Sequence, residues 1–189
     1  MSEQETSTQN TEIAVLAGGC FWGVEEILRN VPGELDTDVG YTGGWLENPT
    51  YHDTHDSKSG HAEAIRITFD PDEISYDDLL DIFFATHDPT QLNRQGNDIG
   101  TQYRSAIFPQ NESQERKARE GIARANVTHH ESIVTTIEPK GEWWPAEHYH
   151  QDYWAGEGQR NPYCIAHIPP KLQKLRKSFQ ARVRSEAAA

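Results

Sequence analysis

Residues 12–17, Glu-Ile-Ala-Val-Leu-Ala, are a short, nearly continuous apolar run that Gly18 and Gly19 cut off. A run of that length reads as a strand, and one without polar alternation is buried on both faces. The chain must therefore supply cover above and below this strand. Directly after it, Val24, Ile27, Leu28 and Val31 recur at the i, i+3, i+4, i+7 spacing of a helix over about 21–30, and Pro32-Gly33 ends it. A buried strand feeding a helix through two glycines predicts a layered domain of sheet and helices.

The remaining pattern extends this reading. Residues 34–41 form a weaker strand, and residues 42–62 a long polar loop carrying Trp45, Tyr51 and three histidines. A loop that long in a compact chain is functional or disordered, and its aromatics argue against disorder. Over 64–69, Ile65, Ile67 and Phe69 alternate with Arg66 and Thr68, which predicts a half-buried strand. Ser75, with Asp78 three residues on, signals a helix start, and Leu79, Leu80, Phe83 and Phe84 share one face behind it. A second functional-looking loop spans 87–102. Then come a strand over 103–108, a charged helix over 111–125 and a strand over 131–137. The segment from Gly141 is aromatic and rich in Gly and Pro. A basic helix from about Lys171 carries Leu172, Leu175, Phe179 and Val183 on one stripe and reads as a tail docked on the body. The order predicts an α+β fold: a two-layer domain with a mixed sheet and packed helices. The expected division is a disordered leader over 1–11, a catalytic domain over 12–155 and a C-terminal tail over 156–189.

Charge and cysteine usage narrow the function classes. Thirty acidic against 17 basic residues give a net charge of -13, which disfavours nucleic acid and anionic membranes as partners. The basic residues are mostly Arg, and an acidic, Lys-poor surface is also what a high-salt cytoplasm would select; ordinary acidic composition is the alternative. No apolar run reaches the roughly 18 residues of a membrane span. The first eleven residues lack a basic start and an apolar stretch, so no secretory signal is read there and the cytoplasm is the expected location. In that compartment Cys20 and Cys164 are either packed core residues or redox partners, not a structural disulfide.

Cys20 lies where the strand ends and the helix begins, in Gly18-Gly19-Cys20-Phe21-Trp22-Gly23. Exposed N–H groups and the positive helix end favour thiolate there. The effect is roughly 0.3–1 kcal/mol, well under one pKa unit, so a thiol starting near about 8.5 stays mostly protonated. Another group must activate it. Position 23 is Gly, which removes the Cys-X-X-Cys option, and His52, His55 and His61 are the nearby candidates for a paired base.

At this point the motifs converge. GCFWG at 19–23, NPTY at 48–51, GHAEA at 60–64, HDPT at 87–90 and GNDIGTQYR at 96–104 keep one order over about residues 12–154. Together they resemble the A-type methionine sulfoxide reductase family. The resemblance implies a ferredoxin-like core, no cofactor, and reduction of methionine S-sulfoxide through a sulfenic acid on Cys20. It implies that Phe21 and Trp22 wall the pocket for the methionine methyl group and that Glu63 donates a proton to the sulfoxide oxygen. Tyr51 and Tyr103 would hydrogen-bond that oxygen, and Asp98 would orient the substrate. Attack at sulfur needs that proton because the oxygen leaves badly as an oxyanion. A Cys20–Glu63 pair sharing one proton meets the need without placing two negative charges together.

The match thins toward the C-terminus. Gly156, Gly158, Asn161 and Pro162 precede Cys164 in Asn-Pro-Tyr-Cys, which reads as a coil able to swing across the site. Cys164 is then either the recycling thiol, reduced by thioredoxin or a similar dithiol, or a packed residue beside the terminal helix. Three rivals stand beside the reductase reading, one of them a non-catalytic redox sensor in which Cys20 oxidises and signals. His148 and His150, with His129-His130, offer a weak metal motif, and HxH alone is not a zinc signature. A cysteine hydrolase could use Cys20 with a loop His and Glu63. A monomer acting on oxidised proteins and free methionine sulfoxide is the expectation.

Overall fold

The computed structural model describes residues 10–179. Its elements are β1 (Glu12–Gly18), α1 (Phe21–Leu28), β2 (Glu34–Thr42), α2 (Tyr51–His55), β3 (Ala62–Phe69), α3 (Tyr76–Thr86), β4 (Arg94–Gln95), β5 (Asp98–Ile99), β6 (Ser105–Ile107), α4 (Glu112–Thr128), β7 (Thr136–Ile137), β8 (Trp144–Pro145) and α5 (Pro162–Ser178). Six strands form one mixed sheet in the order β7-β6-β1-β3-β2-β8, in which only the β6–β7 pair is parallel; β4 and β5 make a separate hairpin. The α+β architecture with a mixed sheet and packed helices is as expected. The leader reading over 1–9 and Val183 lie outside the described residues.

The apolar run of β1 is buried on both faces because strand side chains alternate. Ala14 and Leu16 join the large core under the helices, with Ile65, Ile67 and Phe69 of β3, Val24, Ile27 and Leu28 of α1, and Leu79, Leu80 and Phe83 of α3. Val15 and Ala17 join a smaller cluster on the other face with Ala62, Ala64, Ala106 and Phe108, against which Trp143 packs. The helix face carries more of the stability, since each buried Ile, Leu or Phe contributes roughly 1.5–3 kcal/mol and alanines far less. This second cluster covers the start of β3, while the half-buried reading of 64–69 holds, with Ile65, Ile67 and Phe69 buried and Arg66 and Thr68 half-buried. The Ala62–Ile65 half of β3 is covered on both sides, and only Arg66 and Thr68 keep the alternation.

Two expectations are corrected. The strand over 131–137 shrinks to Thr136–Ile137; Val134 instead ties back to the chain by donating its N–H to the Pro89 carbonyl at 2.9 Å. The last helix starts at Pro162, not near Lys171. Asn161 caps it, accepting from the N–H of Tyr163 at 2.9 Å and of Cys164 at 3.4 Å, and Pro at the first helical position gives up an N–H that would be unpaired anyway. Pro169 and Pro170 lie inside the helix, and both are exposed. The buried stripe of α5, Cys164, Ile168, Leu172 and Leu175, belongs to the main core and packs on α1 and α3. Cys164 is thus in a helix, not on a coil.

Candidate active site

Antiparallel pairing brings the end of β1 to the start of β3: Leu16 is opposite Ile65, and Tyr41 of β2 opposite Glu63. Gly19 follows with φ +95°, and a Cβ there would come within 2.8 Å of Gln95 Cγ, so only glycine fits the turn beneath the β4–β5 hairpin. Cys20 is then the N-cap of α1, partly exposed, with its carbonyl accepting from Gly23 N–H at 3.3 Å. No side chain caps this helix. Phe21 N–H donates to Glu63 Oε1 at 3.2 Å, and the Trp22 N–H favours the Cys20 thiolate.

That donor does not prevail. Burial pushes the Cys20 thiol well above its ordinary value, with Glu63 and then Asp98 adding to the rise. Glu63, 2% exposed, is pushed up to about 8, by burial first and against the Phe21 N–H. At neutral pH the pair holds its protons, and Glu63 is a carboxylic acid within the site. Burial and then Glu63 raise the phenols of Tyr51 and Tyr103, so both remain hydroxyl donors. Tyr103 also feels Asp98, Tyr51 and Cys20, which places all of these around one spot.

An aromatic wall closes one side. Trp22 stacks on Tyr153 with ring centroids 4.0 Å apart and donates its indole N–H to His150 Nδ1 at 3.0 Å. Because indole only donates, Nδ1 must be unprotonated, and burial lowers the His150 pKa. His150 also packs against Phe21 at 5.2 Å and Tyr51 at 4.6 Å. Glu147 holds the wall from behind, accepting from the hydroxyl of Tyr41 at 3.3 Å and the N–H of Tyr51 at 3.2 Å. Opposite, Tyr163 at the start of α5 donates its hydroxyl to Asp98.

A protein-family description, peptide methionine sulfoxide reductase, matches residues 12–183. The chain belongs to that family. A peptide methionine sulfoxide reductase MsrA of Erwinia tasmaniensis is 63% identical over 171 residues, 90% of this chain and 96% of that protein. Reduced Mxr1 from Saccharomyces cerevisiae, a solved structure, aligns with a TM-score of 0.74 at 30% identity over 85% of this chain and 93% of that one. The same yeast protein in complex with Trx2 aligns at 0.54 and 22% identity over 80% and 90%, a likeness of fold.

For this reductase-family site, the sequence-derived residues Cys20, Phe21, Trp22, Tyr51, Glu63, Asp98 and Tyr103 come together, from β1–α1, α2, β3, β5 and the turn before β6. Cys164 lies in the first turn of α5, fully buried and a free thiol, its pKa raised by burial to about 11. The candidate histidines do not join Cys20. His61 is spent on the loop, taking Gly44 N–H on Nδ1 and meeting the Leu46 carbonyl through Nε2 at 2.7 Å. His52 is exposed and paired with Asp56. His55 packs on Tyr51 at 5.4 Å. His150, weighed in the sequence as half of a metal motif, is instead a member of the aromatic wall, while His148 is exposed.

Sequence reasoning missed Glu147, Tyr153 and Tyr163. All three are contributed by the Gly/Pro-rich C-terminal third, where periodicity gives no signal. The one available cue was the density of aromatics there. It missed Glu25 as well. This buried acid of α1 accepts Asp152 N–H at 2.7 Å, and burial raises its pKa to about 8. Glu25 thereby anchors the residue next to Tyr153, one turn behind Trp22.

Proposed function

We propose that this protein reduces methionine S-sulfoxide to methionine, free or in proteins, with Cys20 as nucleophile and Glu63 as proton donor. The observation that carries the reading is a buried carboxyl, its pKa pushed up to about 8 by burial, bonded to the N–H next to the cysteine. Cys20 sulfur bonds to the sulfoxide sulfur while Glu63 protonates the oxygen, and Tyr51 and Tyr103 donate to the same oxygen. The oxygen then moves to Cys20, leaving methionine and a sulfenic acid, a two-electron exchange that balances without a cofactor. Phe21 and Trp22 hold the methyl group and Asp98 the substrate backbone. Cys164 displaces the hydroxyl of the sulfenic acid as water, and a thioredoxin-like dithiol reduces the disulfide. That choice of reductant is supported by the Mxr1–Trx2 complex of the yeast relative.

The hydrolase reading lacks its base. Among the described residues no histidine hydrogen-bonds Cys20. A dithiothreitol-driven assay on separated methionine sulfoxide epimers tests the proposal: the S epimer at sulfur is turned over and the R epimer is not. Equal rates on both would sink the pocket assignment, and no turnover of either would sink the function. We also read the inner strands β6-β1-β3-β2, all antiparallel and linked by α1 and α3, as a ferredoxin-like split βαβ core. Superposition on such a domain is its check.

A further inference from the structure

Helix α5 turns a second chemical group toward α1 besides Cys164. Lys171 is seven residues on from Cys164, hence on the same face, beside the buried Ile168 and Leu172. Its ammonium packs beneath the first turn of α1: a Cβ added at Gly23 would lie 3.9 Å from Lys171 Nζ and 3.7 Å from Ile168 Cγ1. Gly23 is three residues, about 4.5 Å of helix rise, below the N-cap Cys20. Lys171 shares a small cavity with Gly23, Phe83, Thr86 and His87.

Among the described residues no carboxylate comes within ion-pair distance of Lys171. Burial lowers its pKa, and the two groups that act the other way are Cys20 and Asp98. His87, across the cavity, offers no rival cation. Its Nδ1 meets the Phe83 carbonyl at 2.5 Å and its Nε2 the Ser105 hydroxyl at 2.8 Å, and burial holds its pKa near about 3. The groups facing Cys20 are Glu63 from β3, Asp98 from β5, Tyr51 from α2, Tyr103 from the turn before β6, and Tyr163 and Cys164 from α5. Every one of them is an acid. A thiolate among them needs a positive charge from elsewhere.

We infer that Lys171 is a positioning residue for the reduction, its ammonium held against Gly23 so that Cys20, three residues earlier at the N-cap of the same helix, is favoured in its anionic, attacking form. No bond forms to Lys171 and no proton need leave it. It acts by Coulomb attraction through the first turn of α1, where the low dielectric keeps that attraction strong. The inference rests on Cys20 being the nucleophile. It also gives α5 a purpose beyond recycling, since the helix that brings Cys164 brings the counter-charge as well.

The test reads the thiol directly, without sulfoxide. In a Cys164→Ser background, the rate at which iodoacetamide alkylates Cys20 is followed against pH for the parent, Lys171→Met, Lys171→Gln and Lys171→Arg. Loss of the charge in Met and Gln slows alkylation at pH 8 about tenfold and moves the profile up by about one unit, equivalent to about 1.4 kcal/mol. Arg keeps the rate within about threefold of the parent. Met holds the melting temperature at or above the parent, because it fills the same space without a buried charge. If Lys171→Met fails to fold, Lys171→Gln decides. Unshifted profiles in the neutral variants, or an Arg profile displaced as far as the neutral ones, overturn the inference. Failure of the proposed function looks different: wild type alkylates normally yet turns over no sulfoxide.

Discussion

Two helices of this protein start at or near a cysteine, and they treat it in opposite ways. Cys20 is itself the N-cap of α1, with no side chain capping the helix. Two N–H groups of that first turn face the site: Phe21 N–H donates to Glu63, and Trp22 N–H acts on the Cys20 thiol. Cys164 is the third residue of α5, and Asn161 has already consumed the N–H groups of Tyr163 and Cys164 itself. Cys20 is partly exposed and surrounded by acids, whereas Cys164 is fully buried and only burial moves its pKa. An uncapped helix start keeps donors for a ligand or an anion, and a capped one is a closed structural unit. One start leaves its donors to the site, and the other keeps them within its own first turn.

The largest test strikes the open start. Glu63→Gln should slow sulfoxide reduction by roughly 10²–10⁴, the usual loss for a general acid. The pH profile should change with it. With both protons on the pair there is no thiolate. Losing the first, near pH 8, yields the reactive pair, and losing the second removes the donor. Wild-type kcat/KM therefore rises through about pH 8 and falls at higher pH, while Glu63→Gln loses the falling limb. A variant with near-normal rate and an unchanged profile would dismiss Glu63 as donor.

Next comes the closed start. In Cys164→Ser the first turnover, measured by quench without reductant, should keep its amplitude while thioredoxin-driven turnover collapses. Wild type given substrate alone should lose two hydrogens by mass spectrometry, with Cys20 joined to Cys164. A free Cys164 thiol after that treatment makes it a packing residue.

A smaller effect asks what holds the second start shut. A disulfide needs Cα atoms within about 4.4–6.8 Å and compatible side-chain directions, and the Asn161 cap fixes the first turn of α5 in which Cys164 lies. Asn161→Ala removes its cap at a cost of about 1 kcal/mol, which lowers Tm by about 2–4 °C. Disulfide formation should then be faster than in wild type. Slower or unchanged closure would mean that the cap does not gate Cys164. The smallest effect separates both starts from the surface. If the net charge of -13 is a salt adaptation, raising KCl from dilute to molar should lift Tm steadily by screening repulsion, while Cys20 alkylation barely moves because buried charges are poorly screened. A flat Tm leaves the acidity as ordinary composition.

The contrast between these helices is also a contrast in legibility. Helix α1 could be read from residues 12–31 because an apolar run, two glycines and a 3.6-residue period are local signals. Helix α5 carried local signals too, Asn161 and Pro162 at its start. The apolar stripe from Leu172 set the expected start near Lys171 instead, and the helix runs through Pro169-Pro170, whose cost depends on whether the carbonyls left unpaired reach water. Exposure to water is a tertiary property, and no window of sequence contains it. The strand expected over 131–137 erred in the other direction: its apolar residues pack without pairing except at Thr136–Ile137.

The chain's residues by themselves determined the α+β layering, the buried strand that feeds a helix, the placing of Cys20 at that junction, and the motifs that led to Glu63, Tyr51, Tyr103 and Asp98. Each rests on spacing along the backbone or on the chemistry of a single side chain. Only the folded structure decided that Glu63 keeps its proton, that His150 belongs to an aromatic wall, that Cys164 is sealed in a capped helix, and that Lys171 lies beneath the first turn of α1. Those outcomes depend on desolvation and on distances between residues as far apart as Trp22 and His150. Solvent exclusion and long-range contact exist only once the sheet and helices have closed around the site.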